Sequence, residues 1–328
     1  MPERPLLDVH DLTVAYDTAT GPVVAVDHVE LTVAAGEFTA VVGESGCGKS
    51  TLLFAVTGLL NPPARVTGGT VHFKGTDLVT LTERELAQLR WRDYSVVLQS
   101  AMNALNPVAT LAAQYRDAMA AHGTYTEDEI RARSAEVLDL VGIDPVHLRS
   151  YPHQLSGGMR QRAMIAMALL LTPNLVVMDE PTSALDVVAQ RSLMVQIKEL
   201  QQLLGFAVLF VTHDMSLVSH FSDRLLVMYA GQVVETGPTR SVFDRPAHPY
   251  SRGLLDAFPS IRGPRVPLKG IPGSPPDLAA PPPGCRFTPR CPLVQPQCHE
   301  KEPELYAVGD AHARCLLHAP TAPTEASR

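Results

Sequence analysis

A glycine-rich loop at residues 43–51, Gly-Glu-Ser-Gly-Cys-Gly-Lys-Ser-Thr, constrains the fold more than any other feature of this sequence. A β-branched run at 37–42 precedes the loop, and a run at 49–60 that predicts a helix follows it. In a strand–loop–helix unit, glycines let backbone N–H groups curl around phosphate oxygens, and the helix N-terminus adds its positive end. The flanking strand and the Lys-Ser pair disfavour a glycine turn that only caps a helix. The sequence therefore predicts a phosphate-binding loop.

Each residue type in this loop has a chemical reason. The Lys49 ammonium supplies a point charge for the β- and γ-phosphates, and the Ser50 hydroxyl can bind magnesium. Cys47 is interpreted as a small filler residue rather than a nucleophile, because no base is indicated nearby. The predicted nucleotide-binding residues of the loop are Gly43, Ser45, Gly46, Cys47, Gly48, Lys49, Ser50 and Thr51.

A second chemical feature is an apolar run at 175–178 that ends in two acids, Asp179 and Glu180. Carboxylates at the carboxyl end of a buried strand are costly unless they are used, and in α/β folds that edge lies beside the phosphate loop. Asp179 is predicted to hold magnesium through water, and Glu180 to polarise the attacking water as general base. In isolation the two acids would also fit an ordinary strand exit. Beside the loop, they indicate nucleotide hydrolysis.

Hydrophobic periodicity predicts an α/β protein. The first three strands read as an antiparallel lead-in, helical patterns replace strand patterns between about 100 and 171, and the later strands alternate with helices as a parallel sheet requires. The strand at 225–228 is expected to close the core. The predicted strands lie at 6–16, 23–33, 37–42, 70–74, 94–98, 175–178, 207–211 and 225–228, and the predicted helices at 49–60, 83–91, 127–141, 157–171, 187–204 and 215–221.

Composition limits the class of partner. The 328 residues carry a formal net charge of −7, which argues against binding along a nucleic-acid backbone, since that needs a concentrated basic surface. No secretion signal opens the chain, and its longest apolar run, at 163–171, is far below the roughly 20 residues that span a bilayer. We therefore expect a cytoplasmic protein. A proline-rich connector places a domain boundary near Ser260, dividing the chain into 1–260 and 261–328.

Residues 155–162, Leu-Ser-Gly-Gly-Met-Arg-Gln-Arg, form a second anion cradle at a helix start. This segment resembles the signature of ATP-binding cassette (ABC) proteins. The resemblance implies a RecA-like phosphate-loop NTPase core with an antiparallel β subdomain and a helical subdomain at about 100–171. It also implies a head-to-tail dimer, with ATP and magnesium between one phosphate loop and Ser156, Gly157 and Gly158 of the other subunit. No internal repeat is visible, so a second cassette subunit is required.

Four further residues resemble members of the same motif set. Gln99 resembles the glutamine that senses magnesium and water and couples to the membrane domain. His213 resembles the histidine switch that contacts the γ-phosphate, and Asp186 resembles the aspartate that crosses the dimer interface. Tyr16 matches the aromatic residue that stacks on adenine. Each is weak alone, and their order and spacing carry the inference.

Three segments narrow the resemblance to the dipeptide, oligopeptide and nickel importer branch: 99–107, 151–154 and 247–250. Ser100 and Ala101 depart from the branch, which commonly has an acid followed by proline there. The branch implies an ATP-driven importer with two transmembrane permease subunits and an extracytoplasmic substrate-binding protein, with this chain on the cytoplasmic face of the membrane. Peptides are the expected cargo, and nickel, glutathione or sugars remain alternatives.

Cys285, Cys291, Cys298 and Cys315 make a small Cys-rich C-terminal extension with the spacing C-x5-C-x6-C-x16-C. Four thiolates suit a [4Fe-4S] cluster or zinc, yet neither the zinc-ribbon nor the ferredoxin spacing occurs. In the same branch, some members ligate an iron–sulfur cluster in such a tail. The resemblance therefore favours iron–sulfur, with zinc and unligated or disulfide-bonded cysteines as the alternatives.

Two other classes of protein remain as alternatives. A soluble ABC ATPase that acts on DNA shares the nucleotide chemistry, but it separates the loop from the signature by long coiled coils, and here only 51–154 intervene. Translation-type members fuse two cassettes, and this chain has one. A redox or metal sensor built on the cysteine tail is the remaining alternative.

Overall fold

The computed structural model describes residues 4–99, 104–182, 185–257 and 270–320. Its first layer is an antiparallel sheet in which strand β1 (Leu7–Thr18) lies between β2 (Gly21–Val33) and β4 (Ala64–Phe73). β5 (Thr76–Asp77) pairs with β4 at the edge. The antiparallel pairing of β1 and β2 confirms the arrangement predicted for residues 6–16 and 23–33.

The third strand assigned to this lead-in belongs to another sheet, so that part of the prediction is wrong. β3 (Phe38–Val42) is buried along its whole length and pairs in parallel with β8 (Ala207–Thr212) and β9 (Arg224–Tyr229). A strand covered on both faces is a continuous apolar run without alternation. The sequence Phe-Thr-Ala-Val-Val has this pattern and is typical of the centre of a parallel sheet.

In the described residues, the central sheet contains the strand order β9-β3-β8-β7-β6, with β6 at Tyr94–Val97 and β7 at Leu175–Asp179, and three further strands follow beyond β9. β6, β7, β8 and β3 run parallel to one another. Their carboxyl ends therefore meet at one edge of the sheet. This edge brings the starts of four loops together, at residues 43, 99, 180 and 213.

Two hydrophobic clusters cover the two faces of the central sheet. Successive side chains of β8 alternate between them, with Val208 and Phe210 in one cluster and Leu209 and Val211 in the other. The first cluster also packs against the helical insert, and the second packs against the antiparallel sheet. The sheet is thus fixed from both sides, which holds its functional edge in place.

Helices cover the sheet and form the insert that the sequence predicts between about 100 and 171. Those at 187–204 and 215–221 are confirmed at both ends. No helix of the described ranges is both long and apolar enough to cross a membrane. The described α-helices are Lys49–Val56, Glu83–Leu89, Leu111–Ala120, Glu127–Leu140, Gly157–Ala168, Val187–Leu204, Met215–Phe221, Thr239–Asp244 and Pro249–Asp256.

The sheet continues past β9, so the core is not closed at 225–228. β10 (Gln232–Pro238) pairs antiparallel with β9, and the C-terminal hairpin of β11 (Tyr306–Val308) and β12 (Ala311–Ala313) joins its other edge. The C-terminal segment thereby packs on the body of the protein. The boundary predicted near Ser260 lies outside the described residues.

Candidate functional site

A cavity of about 780 Å³ lies at the edge where the parallel strands end. Ten of the residues singled out from the sequence line it. Four others, Thr18, Val23, Ala25 and Leu278, also line it and were not predicted. The ten predicted residues are Tyr16, Ser45, Gly46, Gly48, Lys49, Ser50, Thr51, Gln99, Glu180 and His213.

The glycines of the loop permit a close approach of backbone segments. Gly48 has φ +104°, and a Cβ there would stand 2.3 Å from the carbonyl oxygen of Ala25. A Cβ on Gly43 would stand 2.2 Å from the carbonyl oxygen of Met228. Both neighbours are backbone atoms of packed strands, so they cannot yield cheaply. Glycine is required at these two positions for the loop to curl between the sheets.

Lys49 is buried at the start of the first helix, with 7% of its surface exposed. Its ammonium donates to the carbonyl oxygens of Gly43 (2.8 Å) and Glu44 (2.9 Å). Cys47 lies in the core beneath the loop, and burial raises the pKa of its thiol. An un-ionised, buried thiol is a poor nucleophile. This buried position agrees with the interpretation of Cys47 as a small residue that fills space beneath the loop.

Asp179 ends β7 and is almost fully buried, with 5% of its surface exposed. Burial raises the pKa of its carboxyl, whereas a hydrogen bond from Ser50 and the charge of Lys49 oppose the shift. Neither Asp179 nor Gly43 nor Cys47 is among the described residues that line the cavity. Asp179 instead contacts the loop from below through Ser50, a residue that does line it.

Glu180 stands at the centre of a three-residue group. Its Oε2 accepts a hydrogen bond from Nε2 of Gln99 (2.8 Å), and its Oε1 lies 3.1 Å from Nδ1 of His213. Glu180 has a φ of +44°, a left-handed conformation that is uncommon for a residue with a Cβ and that is found at functional turns. Three strand ends thus present one carboxylate, one amide and one imidazole to the same cavity.

Tyr16 lines the far wall of the cavity, from the antiparallel sheet. Its hydroxyl is hydrogen-bonded to that of Thr51 at 3.0 Å. Thr18 lies on the same strand as Tyr16, and Val23 and Ala25 lie on the strand that pairs with it. Because the sequence assigns Tyr16 to the site, these neighbours on the two strands could have been predicted from it. Leu278 comes from the proline-rich C-terminal segment, and no sequence pattern pointed to it.

The signature segment lies away from this cavity: none of the described lining residues comes from 155–162. Ser156 is exposed and caps the helix Gly157–Ala168 by accepting a hydrogen bond from the N–H of Met159 (3.2 Å). Asp186 is exposed and caps the helix Val187–Leu204 in the same way, accepting from Ala189 (2.9 Å). Gln161 ties the signature helix to the carbonyl oxygen of Pro181, next to Glu180.

The four cysteines of the C-terminal segment line one small cavity together with His248, Thr288 and apolar residues. All four are free thiols. Burial raises the pKa of Cys285 and Cys291, and it raises that of Cys315 to about 11. Within the described ranges, no three His, Cys, Asp or Glu side chains are placed to hold a metal ion.

Two family models match the chain. One, described as "ABC transporter", matches residues 26–183, which include the loop, Gln99, the signature and the acidic pair. The other, described as "Oligopeptide/dipeptide transporter, C-terminal region", matches residues 234–298.

Curated relatives match over nearly the whole chain. The dipeptide transport ATP-binding protein DppD of Caldanaerobacter subterraneus is 40% identical over 95% of this chain and 97% of its own length. The oligopeptide transport ATP-binding protein OppD of Salmonella typhimurium is 42% identical over 95% of this chain and 94% of its own. The DppD protein of Bacillus subtilis is also 42% identical, with the same coverage.

Solved structures share the fold over most of the chain. The ATP-binding cassette MJ0796, a dimer in a post-hydrolysis state with ADP and phosphate, is 29% identical with a TM-score of 0.64. The match covers 71% of this chain and 99% of that one. Clostridium perfringens cbiO1, part of the transporter complex cbiONQ, is 30% identical with a TM-score of 0.64, over 74% of this chain and 92% of its own.

Proposed function

The chain belongs to the ATP-binding cassette (ABC) transporter family, and we propose that it is the ATP-hydrolysing motor subunit of an importer of dipeptides or oligopeptides. One observation carries the proposal. The phosphate loop, with its lysine, and the Gln99–Glu180–His213 group line the same cavity. Binding and hydrolysis of a nucleotide need both, and the sheet edge supplies both.

Each residue then has one task in the reaction. The loop N–H groups and Lys49 bind the phosphates, and Tyr16 stacks on the adenine. Ser50, Asp179 and Gln99 are the residues that would hold Mg²⁺. Bound Mg²⁺ neutralises charge on the phosphates.

Glu180 is the general base for the attacking water. Its carboxylate is fixed by Gln99 on one oxygen and faces His213 on the other, so the remaining lone pairs are available for water. His213 contacts the γ-phosphate and reports its presence. The held carboxylate supports this assignment, because a base must stand within hydrogen-bond reach of the proton that it takes.

The second half of each ATP site is proposed to come from another cassette subunit. Ser156, Gly157 and Gly158 are a capped helix start that the cavity of this chain does not include, and Asp186 begins a second exposed helix start. Exposed N–H groups at a helix start bind anions. ATP between the two subunits would close the dimer, and hydrolysis would open it. The dimeric state of MJ0796 supports this assembly.

The remaining partners follow from the importer assignment. Two permease subunits cross the membrane, an extracytoplasmic binding protein delivers the cargo, and this chain sits on the cytoplasmic face. The helical insert near Gln99 would press on the permeases when the dimer closes. No residue of this chain contacts the cargo. Peptides are favoured over nickel, glutathione or sugars because the relatives are named for dipeptide and oligopeptide transport.

Peptide uptake in cells tests this function. We expect a strain that lacks the chain to lose uptake of a labelled dipeptide or tripeptide, the wild-type gene to restore it, and the Glu180→Gln gene not to. Uptake of a free amino acid is the matched control and should be unchanged throughout. Undiminished peptide uptake in the deletion strain would overturn the peptide assignment, and a selective loss of nickel, glutathione or sugar uptake would replace it.

We propose further that residues 261–328 are a C-terminal domain of the peptide-importer type, appended to an ATP-binding domain at 1–260, and that its four cysteines hold a [4Fe-4S] cluster. The donor set is right for iron–sulfur, since four free thiols line one apolar cavity. The cavity has room for about 10 Å³, close to a single water molecule, so it would have to widen to admit the cluster. A single zinc ion would instead need its sulfurs drawn together around one point.

Iron content tests the cluster. Protein purified without oxygen is expected to contain about four iron atoms per chain and to absorb visible light. Cys298→Ser should lose both, because one thiolate per iron is required, whereas Cys47→Ser, the matched cysteine outside the group, should keep both. Protein without iron or visible absorbance would refute the cluster, and bound zinc in its place would favour the zinc alternative.

A further inference from the structure

Glu44, the second residue of the phosphate loop, is held by the C-terminal segment. The Arg290 guanidinium donates from Nη1 to Oε2 of Glu44 (2.7 Å) and from Nη2 to Oε1 (2.9 Å). Two parallel N–H···O bonds between a guanidinium and a carboxylate fix orientation as well as distance. The two residues are 246 positions apart in sequence, so this contact joins the phosphate loop to the C-terminal segment of the chain.

Arg290 is itself anchored on several sides. Only 4% of its side chain is exposed. Its Nε donates to the carbonyl oxygen of Pro272 (2.8 Å), and its guanidinium lies over the ring of Tyr229, 5.7 Å from the centroid. The carboxylate of Glu44 raises the pKa of Arg290, so the group is always charged. These contacts hold the buried Arg290 side chain in one conformation. The Glu44 carboxylate that it binds is held in place with it.

The backbone of Glu44 is fixed by two more side chains. Its N–H donates to the hydroxyl of Tyr250 (2.9 Å), and its carbonyl oxygen accepts from the Lys49 ammonium (2.9 Å). Tyr250 packs against Phe287, with ring centroids 5.5 Å apart, and Phe287 follows Cys285 by two residues. The side chain, N–H and carbonyl of one loop residue are therefore held by three different groups, and two of them depend on the C-terminal half of the chain.

We propose that Arg290 is a positioning residue of the ATP site: through Glu44 it fixes the phosphate loop, and with it Lys49, in the geometry that binds the phosphates. Leu278 supports a part for the C-terminal segment at this site, because it lines the nucleotide cavity itself. The inference rests on the proposed ATPase function and deepens it. It assigns the nucleotide site a partner outside the region matched by the ABC family model, which ends at 183.

The effect is expected on nucleotide affinity more than on turnover. Without the two hydrogen bonds from Arg290, the Glu44 carboxylate is left part-buried and unpaired. The phosphate loop then loses the contact that holds the side chain of its second residue. Lys49 then meets the phosphates in a less ordered loop, and we expect the Kd for Mg-ADP and the KM for Mg-ATP to rise about tenfold. Glu180 and its partners are not touched, so kcat should change by less than about threefold.

Arg286 provides a matched control in the same segment. It is also largely buried, and it also joins the C-terminal segment to the cassette, through Asp27 and the carbonyl oxygen of Ala230. In the described part of the chain, none of its hydrogen bonds and ion pairs reaches residues 43–51 directly. The turn that it holds meets the loop through the N–H of Gly231, which donates to the carbonyl oxygen of Cys47 (2.9 Å). Arg286→Gln therefore removes an equivalent buried ion pair and leaves the Glu44 carboxylate paired with Arg290.

The experiment measures Mg-ADP binding by calorimetry and the KM and kcat for Mg-ATP on the full-length chain, with unfolding midpoints for each variant. The variants are Arg290→Gln, Arg290→Lys, Glu44→Gln, Arg286→Gln and the double variant of the first and third. We expect weaker binding for Arg290→Gln and Glu44→Gln, no further loss in the double variant, a smaller loss for Arg290→Lys, and wild-type affinity for Arg286→Gln.

Equal affinity in the Arg290→Gln and Arg286→Gln proteins would overturn the inference, and so would fully additive losses in the double variant. If Arg290→Gln does not fold, Glu44→Gln and Arg290→Lys decide the same question. A wild-type chain that binds Mg-ADP and hydrolyses no ATP even with the second cassette subunit present would defeat the proposed function, while the binding constants would still decide the part of Arg290. A chain that binds no nucleotide would overturn both.

Discussion

The Glu180→Gln variant is expected to hydrolyse ATP at least about 100-fold more slowly than the wild-type chain, while it binds ATP with similar affinity. General-base catalysis contributes about 10²- to 10⁴-fold, and an amide cannot take the proton from water. The substitution keeps the shape of the side chain and can keep its contacts with Gln99 and His213. The loss should therefore appear in kcat and not in binding.

Phosphate release at saturating Mg-ATP checks this prediction, with nucleotide binding measured on the same samples. Glu199→Gln is the matched control, because that acid lies on the helix Val187–Leu204, outside the nucleotide cavity. Its turnover should equal that of the wild type. A Glu180→Gln protein that turns over within about threefold of the wild type would show that another group activates the water.

Removal of the Lys49 ammonium is expected to weaken ATP binding about 100-fold, which corresponds to about 2.7 kcal/mol. A charge pair about 4 Å apart near a protein surface is worth about 4 kcal/mol, and water that enters the space left by the lysine recovers part of that. Lys49 is buried beside the cavity and donates to two loop carbonyl oxygens and to the sulfur of Cys47 (3.8 Å), none of which is an acid, so it can turn to the phosphates without breaking an ion pair.

Calorimetric titration of Lys49→Ala with Mg-ATP checks this expectation. Lys74→Ala is the control, because Lys74 pairs with Asp93 (2.9 Å) and neither residue is among those that line the nucleotide cavity. It should bind ATP as the wild type does. An ATP affinity for Lys49→Ala within about threefold of the wild type would rule out Lys49 as a principal phosphate ligand.

The sequence predicted the residues that carry the chemistry of the site better than the other residues that line the cavity. Loop and acids could be found because Lys49, Ser50, Asp179 and Glu180 belong to short motifs that follow predicted strands, and parallel strands bring such ends together. When a motif is contiguous in sequence and follows a strand, that strand also determines the position of the motif at the edge of the sheet.

Contacts between distant segments left no such signal. The strand Phe38–Val42 was placed in the wrong sheet because its neighbours in sequence are antiparallel, and pairing is decided by burial on both faces. Leu278 and Arg290 reach the site across the fold, from a proline-rich segment without periodicity. The contributions of these two residues depend on tertiary packing between distant segments, which the local sequence pattern does not reveal.

The most direct test of the central claim, that ATP completes a site between two cassettes, is the mass in solution of the Glu180→Gln protein measured by light scattering. The sample contains the chain alone or with the second cassette subunit of its importer, so identical and paralogous partners are both covered. We predict single chains without nucleotide and dimers with Mg-ATP, and no dimers when Ser156→Asp is introduced into the cassettes. Single chains under all conditions, or ATP-dependent dimers that survive Ser156→Asp, would contradict the claim.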